Sequence, residues 1–564
     1  MSVTRLARLV SLTLVCAAAA AHAGGLEFPE NGAQALGRGG AFVAKADDAS
    51  AWWNNPAGLA KLAGYQLYLS SNLSFAKQSF DRSGTYPTVG NGAAFEGQDY
   101  PKVESNNFFP APMGAFTAGI GDQLTLSLAV GGPSAIGAKE YPSEVTVNGV
   151  TAPAPQRYDV VKAETLVFFP TLSAAYRVSP KLDVGASFMW GIGMFKNKSY
   201  AWGVRNPGEE LGNDATIELD ADDMFIPTFN LGVLFRPSPK LEVGGMFRMG
   251  AKIHASGEVK AGFGANLVTA SKLRPRSPCT IDETAKPDTA CTDIATELPP
   301  VIRAGARYIM RDGWGREKGD VELDVGLELW NVFEAYAVHT DGTTPIVVED
   351  QRVEHQYKNT FGVRLGGSYL LGKINARAGV AFDTAASPAE YSRLDGDSWA
   401  KLTGGAGGSF TTRGVTFDLS AAFVHNFAPT VGVGKGKVNP LLPVESYPAP
   451  PPALSVVNEG KFAASAFVIG VGLRFSFAEL GGARSGSSIR NPYLSPEASL
   501  PGVFGGGTTA PPDDGVAPDG TPPPDGTTPP DGATPPDGAT PPDGTTPDGA
   551  TPDDGGAAPA PGTP

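Results

Sequence analysis

The sequence is poor in the residues that enzymes and metal sites use. Its 564 residues contain three cysteines and five histidines. The histidines are scattered, and none shares a metal-ligand spacing with a cysteine. A phospholipase site that used His425 and Asn426 would need both side chains on the same face of a β-strand, whereas adjacent residues on a strand point to opposite faces. The sequence therefore predicts no metal, no cofactor and no enzymatic activity.

The chain also lacks an excess of basic residues. The net charge is −14, but residues 501–564 hold ten aspartates and no lysine or arginine, so residues 1–500 carry −4. This balance offers no basic surface for nucleic acid. After residue 23 no apolar run reaches the roughly 18 residues that a membrane helix needs, whereas a barrel strand needs only about ten alternating residues.

The first 23 residues predict a secretory signal peptide. Arg5 and Arg8 precede an apolar run from Leu9 to Ala21, and a small-residue cleavage site ends at residue 23. A lipoprotein signal at Cys16 is disfavoured, because Val15 before it is larger than lipidation sites prefer.

Two cysteines remain in the exported chain. Cys279 and Cys291 lie close together among proline and charged residues. Outside the cytoplasm such a pair predicts a disulfide that closes a loop, with two free thiols as the alternative.

From Tyr65 onward, segments of period two are separated by breaks that are alternately short and long. Six breaks are short turns, and seven are long, at about 79–108, 134–163, 196–224, 259–298, 337–355, 384–397 and 429–459. Short turns on one side and long loops on the other are typical of outer-membrane barrels. We therefore predict an all-β fold, a 14-stranded antiparallel transmembrane β-barrel over residues 64–477. A β-sandwich also alternates, but it would not need fourteen long strands with such one-sided loops.

Alternation within the strands separates a lipid face from a lumen face. Along Asp320–Trp330 the odd positions are apolar, and the even positions include Glu322, Asp324 and Glu328. The same alternation turns seven basic residues inward: Arg248, Lys252, Arg303, Arg307, Lys358, Arg364 and Arg377. These residues are candidates for binding a carboxylate head group, or else they pair with the lumen acids, since buried charges are usually paired.

Two further segments flank the barrel. Residues 24–63 form a glycine-punctuated stretch without a core of its own, which we expect to act as a hatch inside the barrel. Residues 478–564 carry Pro-Pro-Asp-Gly repeats and lack apolar residues to bury, so we expect a disordered tail. With an even strand count this tail emerges in the periplasm, where it offers contact with the cell wall.

The chain resembles the FadL-type outer-membrane transporters of long-chain fatty acids and other hydrophobic compounds. The motifs that carry the resemblance are Ala35-Leu36-Gly37-Arg38-Gly39-Gly40, Asp47-Asp48-Ala49-Ser50, Asn55-Pro56-Ala57-Gly58-Leu59, Gly131-Gly132-Pro133, Leu298-Pro299 and Trp330-Asn331-Val332-Phe333. It implies a fourteen-stranded barrel plugged by a hatch, with capture at the outer loops, a pocket in the lumen and sideways exit into the membrane. The acidic tail departs from the family pattern.

The resemblance directs attention to two sets of residues. Within the hatch, the gating candidates are Gly37, Arg38, Gly39, Asn54, Asn55 and Pro56. A lateral exit needs a defect in strand pairing, and Gly131-Gly132-Pro133 supplies one, because proline cannot donate a ladder hydrogen bond and glycine allows a bend. The alternative is an ordinary strand end that enters a loop. We expect Asn54, Asn55 and Pro56 to lie close to this break.

We therefore expect a monomeric outer-membrane channel for passive uptake of hydrophobic molecules, with long-chain fatty acids first, that releases its cargo into outer-membrane lipid. Two alternatives remain. One is a structural or adhesive barrel tethered through its tail, and the other is a general porin.

Overall fold

The computed structural model describes residues 31–90, 92–133, 137–201, 209–263, 289–342, 351–396, 398–440 and 456–477. The predicted signal peptide, residues 24–30 of the predicted hatch, Cys279 of the predicted disulfide and the tail from residue 478 lie outside these ranges. Among the described residues, no helix is long and apolar enough to cross a membrane.

The described residues form a barrel of fourteen strands, six of which are interrupted. The first seven are β1 (Tyr65–Arg82), β2 (Val103–Ile120), β3 (Leu124–Gly131, resuming at Ala138–Glu140), β4 (Lys162–Ser179), β5 (Leu182–Ala201), β6 (Ala215–Ser238) and β7 (Leu241–Arg248 and Ala251–Phe263). The next seven are β8 (Thr289–Leu298 and Val301–Arg311), β9 (Glu317–Glu328 and Ala335–Gly342), β10 (Gln351–Glu354 and Thr360–Leu371), β11 (Ile374–Asp383), β12 (Lys401–Thr412), β13 (Val415–Asn426 and Thr430–Val431) and β14 (Gly460–Ser476). A small hairpin (Glu144–Val147 and Val150–Pro153) lies in the loop between β3 and β4.

The barrel is closed by its first and last strands. β1 pairs antiparallel with β14 from Gln66 opposite Ser476 to Arg82 opposite Gly460. Each of the other strands pairs with its neighbours in sequence, so the sheet leaves no open edge in lipid. The predicted fourteen-stranded antiparallel barrel is confirmed.

The outer face of the barrel is apolar, as the alternation predicts. On β9, Val321, Leu323 and Val325 are exposed on the outside, whereas Glu322 and Asp324 between them are buried inside. Burying a charge is costly unless it is paired, so the interior must supply partners for these carboxylates.

Several strands extend further towards the long loops than the sequence predicts. The interruptions in β7 and β10 change the face of the sheet on which the following residues lie. In Leu241–Arg248 of β7 the even positions are buried, but after the interruption at Met249 and Gly250 the odd positions are buried. Lys252 is therefore exposed on the outer face, and its predicted inward orientation is wrong.

The predicted inward orientation of Lys358 is also wrong. This residue lies between the two segments of β10, after Gln356 adopts a positive φ of 51°. Its side chain is exposed, and its backbone N–H donates to Ala386 O at 2.9 Å, away from the barrel ladder. The alternation becomes regular only from Thr360 onward.

The hatch, here residues 31–63, lies inside the barrel. It contains α1 (Ala33–Gly37), α2 (Ala51–Asn54) and a 3-10 turn (Pro56–Lys61). From residue 31 to residue 62 every side chain is buried except that of Asp47, which is partly buried. Elements of four to six residues are too short to be stable alone, so the barrel wall supplies their core.

Candidate functional site

Glycines on the inner face of the barrel let the hatch backbone approach the wall. A Cβ atom at any of these positions would overlap the hatch, chiefly its backbone atoms: Gly185, Gly232, Gly244, Gly366, Gly379 and Gly405. The hatch residues that they face run from Leu36 to Ala57. Close backbone approach is a standard reason for glycine within a strand, and here it makes room for the plug.

Acidic side chains of β9 bind the hatch. The Glu322 carboxylate accepts hydrogen bonds from the backbone N–H groups of Ala44 (2.6 Å) and Lys45 (3.1 Å). The Asp324 carboxylate accepts from the N–H groups of Phe42 (2.8 Å) and Val43 (3.0 Å). Hydrogen bonds to a charged acceptor are about twice as strong as neutral ones, so β9 is a principal anchor of the hatch.

Arg38 is the most extensively bound cation of the hatch. Its side chain is 0 % exposed, and its Nη2 lies 2.9 Å from both Asp320 Oδ2 and Glu322 Oε2. Its Nε donates to Ala41 O at 2.8 Å, and its Nη1 donates to Ser368 Oγ. Gly37 and Gly39, on either side of it, pack against β13 and β11.

Asn54, Asn55 and Pro56 do not share one position on the wall. Asn55 Nδ2 donates to Val43 O (2.8 Å) in the hatch and to Val233 O (3.1 Å) on β6, and Pro56 lies against β5 and β6. Asn55 Oδ1 also accepts from the N–H of Ala57 at 3.1 Å, which caps the 3-10 turn. Asn55 and Pro56 thus fix the hatch to β5 and β6.

The break in β3 contacts the hatch residues Asn31 and Trp52. Strand pairing with β2 ends at Val130 and pairing with β4 ends at Gly131, and the strand resumes at Ala138. Asn31 Nδ2 donates to Gly132 O at 2.6 Å, and the Trp52 ring lies against Gly131.

Two neighbouring residues complete the geometry of the break. Gly132 packs directly on the backbone of Val167 in β4, where a Cβ would overlap the carbonyl oxygen, and Pro133 follows outside the strand. Asn54 reaches the break only indirectly, because its amide donates to Asn31 O at 3.4 Å.

Five of the seven basic candidates are buried inside the barrel, and at least four of these pair with carboxylates. Arg303 lies 3.5 Å from Glu328, Arg364 lies 3.0 Å from Asp383, Arg377 lies 2.8 Å from Asp418, and Arg307 contacts Glu242, Glu317 and Asp320. The fifth, Arg248, places its guanidinium 4.0 Å above the Trp53 ring.

Two apolar clusters meet inside the barrel. The loop-end cluster comprises Ala221, Ile226, Ala251, Ile253, Ala255 and Ile294. The plug cluster includes Trp52, Trp53, Met113, Val167, Phe169 and Met189. Phe195 and Leu298 pack against both clusters, so contiguous packed apolar side chains, here called the apolar path, extend from the loop end of β6–β8 to the β3 break.

A matching family model covers most of the chain. The model, described as "Outer membrane protein transport protein (OMPP1/FadL/TodX)", matches residues 14–477. The chain belongs to this family. It is accordingly an outer-membrane transport channel of the FadL/TodX type for hydrophobic compounds.

Solved structures of low sequence identity share the fold of this FadL/TodX-type channel. A FadL homologue from Pseudomonas aeruginosa is 14% identical with a TM-score of 0.61, over 80% of this chain and 100% of that chain. The toluene transporter TodX from Pseudomonas putida is 14% identical with a TM-score of 0.53, over 80% and 100%. The toluene transporter TbuX from Ralstonia pickettii is 15% identical with a TM-score of 0.51, over 80% and 99%. A comparison with curated proteins finds no match.

Sequence reasoning misses several anchors of the hatch in this FadL/TodX-type channel. Lys61 Nζ lies 3.0 Å from Glu242 of β7, and Lys45 Nζ lies 3.4 Å from Glu317 of β9. The inward glycines are also missed. The available signal is that Glu242 and the glycines occupy inward positions of strands close to the short turns, where the hatch must sit.

At the long-loop end, a buried ion pair ties the β3–β4 loop to the start of β6. Arg157 Nε lies 2.8 Å from Asp214 Oδ2, and Tyr158 OH donates to the same oxygen at 3.1 Å. Burial raises the pKa of the Asp214 carboxyl to about 7, although Arg157 opposes the shift. This loop attachment is therefore sensitive to pH.

Proposed function

We propose that this channel takes up long-chain fatty acids and similar hydrophobic compounds by diffusion, and that they leave sideways through the β3 break. The observation that carries the proposal is the apolar path from the loop-end cluster to the plug cluster. Such cargo must cross the polar surface of the outer membrane, yet it is stable in the hydrocarbon core. A continuous apolar path lowers that barrier without an energy source. One chain closes the barrel, so a monomer suffices.

Lateral exit at Gly131-Gly132-Pro133 is supported by the geometry of the break. The β3 ladder is interrupted where Val167 and Met113 of the plug cluster line the inner face. Cargo at the end of the path would therefore meet an interrupted segment of the wall rather than a paired ladder. An ordinary strand end would need no contact from the plug, whereas Asn31 and Trp52 both contact this one.

For a fatty acid, Arg248 is the best placed of the basic candidates. Its guanidinium stands over Trp53, a member of the plug cluster, so a carboxylate bound there would leave its chain on the apolar path. The proposal predicts that Arg248→Gln weakens oleate binding and leaves toluene binding unchanged. Equal affinity for oleate in the Arg248→Gln variant and the unsubstituted protein would show that Arg248 does not bind the head group.

Neutral aromatic compounds are the second candidate class of cargo. The observation that favours them is the pairing of Arg303, Arg307, Arg364 and Arg377 with carboxylates, which occupies most of the lumen cations. Two of the solved structures with this fold are those of toluene transporters. Transport of toluene without transport of oleate would establish this class.

A charge placed on the apolar path tests the proposed route. Val167→Asp introduces a carboxylate next to the break, and Val424→Asp is the matched control, because Val424 is equally buried on β13 but belongs to another cluster. We expect Val167→Asp to lower uptake of labelled oleate and toluene roughly tenfold or more, since an unpaired buried charge opposes apolar contact. Heat-modifiable migration in gels checks that both barrels fold. Equal uptake by the two variants would contradict the route.

Two further measurements separate the alternatives. A general porin would let small sugars swell proteoliposomes, whereas a plugged barrel would not. Deletion of residues 478–564 should leave oleate uptake unchanged in a transporter. If the deletion abolishes attachment to the cell wall and the protein transports no oleate, the result favours the structural barrel tethered through its tail.

A further inference from the structure

The wall of the barrel has a second interruption, between β6 and β7. Ladder pairs join the two strands on either side of residues 223–229 of β6 and residues 249–255 of β7, but none joins these two ranges, all of which the structure describes. At the short-turn end, the N–H of Met249 still donates to Phe229 O at 2.9 Å. β6 stays paired with β5 here, through one irregularity, and residues 251–255 stay paired with β8. We call this interruption the β6–β7 gap.

The sequence explains why a regular ladder cannot form in the gap. Pro227 has no N–H and cannot donate a ladder hydrogen bond. On the facing strand, Gly250 belongs to the interruption that divides β7. The register between β5 and β6 also shifts between Gly191 and Gly193, opposite the same part of β6, and such a bulge bends the strand.

Polar side chains take over backbone hydrogen bonds at both ends of the gap. Asp223 Oδ2 accepts from the N–H of His254 on β7 at 2.8 Å, and its Oδ1 accepts from the N–H of Phe225 at 2.9 Å. At the other end, Thr228 Oγ1 donates to Met249 O at 2.7 Å. Backbone groups in a membrane need partners within the protein, and here side chains supply several of them. The gap is thus held open without a ladder.

Apolar side chains fill the inner side of the gap. Ile226 of β6 and Ala251 and Ile253 of β7 are buried, and all three belong to the loop-end cluster, where the apolar path begins. Passage between two paired strands would break ladder hydrogen bonds in lipid, which is costly. Passage through the gap requires mainly that these side chains move.

The outer side of the gap is apolar and lies at the margin of the lipid-facing belt. Trp190 of β5 and Met224 and Phe225 of β6 are exposed there, and Trp190 Nε1 donates to Met224 O at 2.7 Å. Towards the long loops, the next outward residues of β6 are Asp222 and Asp220. Because long loops face the exterior in outer-membrane barrels, the gap opens into the outer leaflet where acyl chains meet head groups.

We propose that the β6–β7 gap is a side entrance, through which apolar molecules already dissolved in the outer leaflet reach the loop-end cluster. The class of cargo that fits it is hydrocarbon without a polar group, because apolar side chains line both sides of the gap and such molecules partition into the membrane rather than water. The inference rests on the proposed function, since it supplies the same apolar path from the membrane.

Photolabelling of the full-length protein in proteoliposomes tests this entrance. The probe is hexadecane that carries a diazirine and is dissolved in the bilayer beforehand, and mass spectrometry locates the labelled residues. We expect labelling of Ile226 and Ile253, on the inner side of the gap. Leu234 should stay unlabelled, because it is equally buried on β6 but lies where that strand is paired with both neighbours.

A charge at the outer edge of the gap should close the entrance. Phe225→Asp should lower the labelling of Ile253 roughly tenfold, since an unpaired carboxylate opposes apolar contact. The matched control is Phe423→Asp on β13, because Phe423 is 54% exposed and Phe225 is 58% exposed. Phe225→Gln, which is polar but uncharged, should give a smaller decrease and serves if the aspartate variant does not fold. Heat-modifiable migration in gels checks folding.

Two results would overturn the assignment. The first is equal labelling of Ile253 in Phe225→Asp and Phe423→Asp. The second is loss of that labelling in Val167→Asp with retention in Phe225→Asp, because hexadecane would then enter through the β3 break. Failure of the proposed function is distinguishable, because it would abolish transport of oleate and toluene, whereas labelling from the bilayer requires no transport across the membrane.

Discussion

Replacement of Arg38 by methionine should release the hatch without unfolding the barrel. Methionine keeps much of the side-chain volume and removes the guanidinium, which is fully buried between Asp320 and Glu322. Removing one partner of a buried ion pair typically costs about 3–5 kcal/mol, because the other charge stays buried. The loss falls on docking of the hatch, since both carboxylates belong to β9 and the guanidinium belongs to the hatch.

The remaining partners of the two carboxylates place the loss near the lower limit. Asp320 keeps Arg307 at 2.8 Å, and Glu322 keeps the N–H groups of Ala44 and Lys45. A loss of about 3 kcal/mol raises the undocked population of the hatch roughly a hundredfold, given that about 1.4 kcal/mol is tenfold.

Hydrogen exchange of the hatch amides measures that population directly, and swelling of proteoliposomes by a small sugar measures its effect on the pore. The control is Arg316→Met, because Arg316 is half-exposed and its described ion pair, with Asp312 at 2.7 Å, lies within one turn. Surface pairs of this kind contribute about 0–1 kcal/mol. If Arg38→Met exchanges no faster than the control, the ion pairs with β9 do not hold the hatch, and the argument fails.

Asn55→Ala removes the cap of the 3-10 turn and the bonds to Val43 O and Val233 O, so hatch exchange should quicken at least tenfold; an unchanged rate would contradict this. Asp214 has a folded pKa of about 7, above its unfolded value near 4, so its contribution to stability is complete below about pH 4 and is lost as pH rises towards 7. The thermal unfolding temperature of Asp214→Asn should therefore lack the decrease between about pH 4 and pH 7 that the unsubstituted protein shows. The unsubstituted protein should exclude small sugars from proteoliposomes, and free swelling would favour a porin.

Alternation along uninterrupted strands could be predicted from the sequence because it depends on local geometry. The apolar and acidic positions of β9, for example, face the lipid and the lumen as their period of two requires. Alternation places Lys252 and Lys358 on the wrong face because Lys252 follows an interruption and Lys358 lies within one, and a pattern of period two carries no information across an irregular segment.

The partners of the lumen charges could not be predicted in the same way. Arg38 and Asp320 are 282 positions apart, and only the placement of the hatch inside the closed barrel brings them together. Alternation identifies Glu322 as a lumen acid, but it favours a barrel arginine as its partner. The structure instead gives Glu322 the guanidinium and backbone of the hatch. A close-packed plug selects its contacts by shape, which strand periodicity does not encode.

The contacts at the β3 break argue that plugging and exit are not independent. Asn31 and Trp52 belong to the hatch, yet the first donates to Gly132 O and the second lies against Gly131. Trp52 also belongs to the plug cluster, at the end of the apolar path. Cargo that displaces this ring would therefore disturb the hatch and the break together, whereas Arg38 and Asn55 fix other parts of the hatch to β9 and β6. In the proposed route, the hatch yields at the break while its anchors on the other strands keep the pore closed to small solutes.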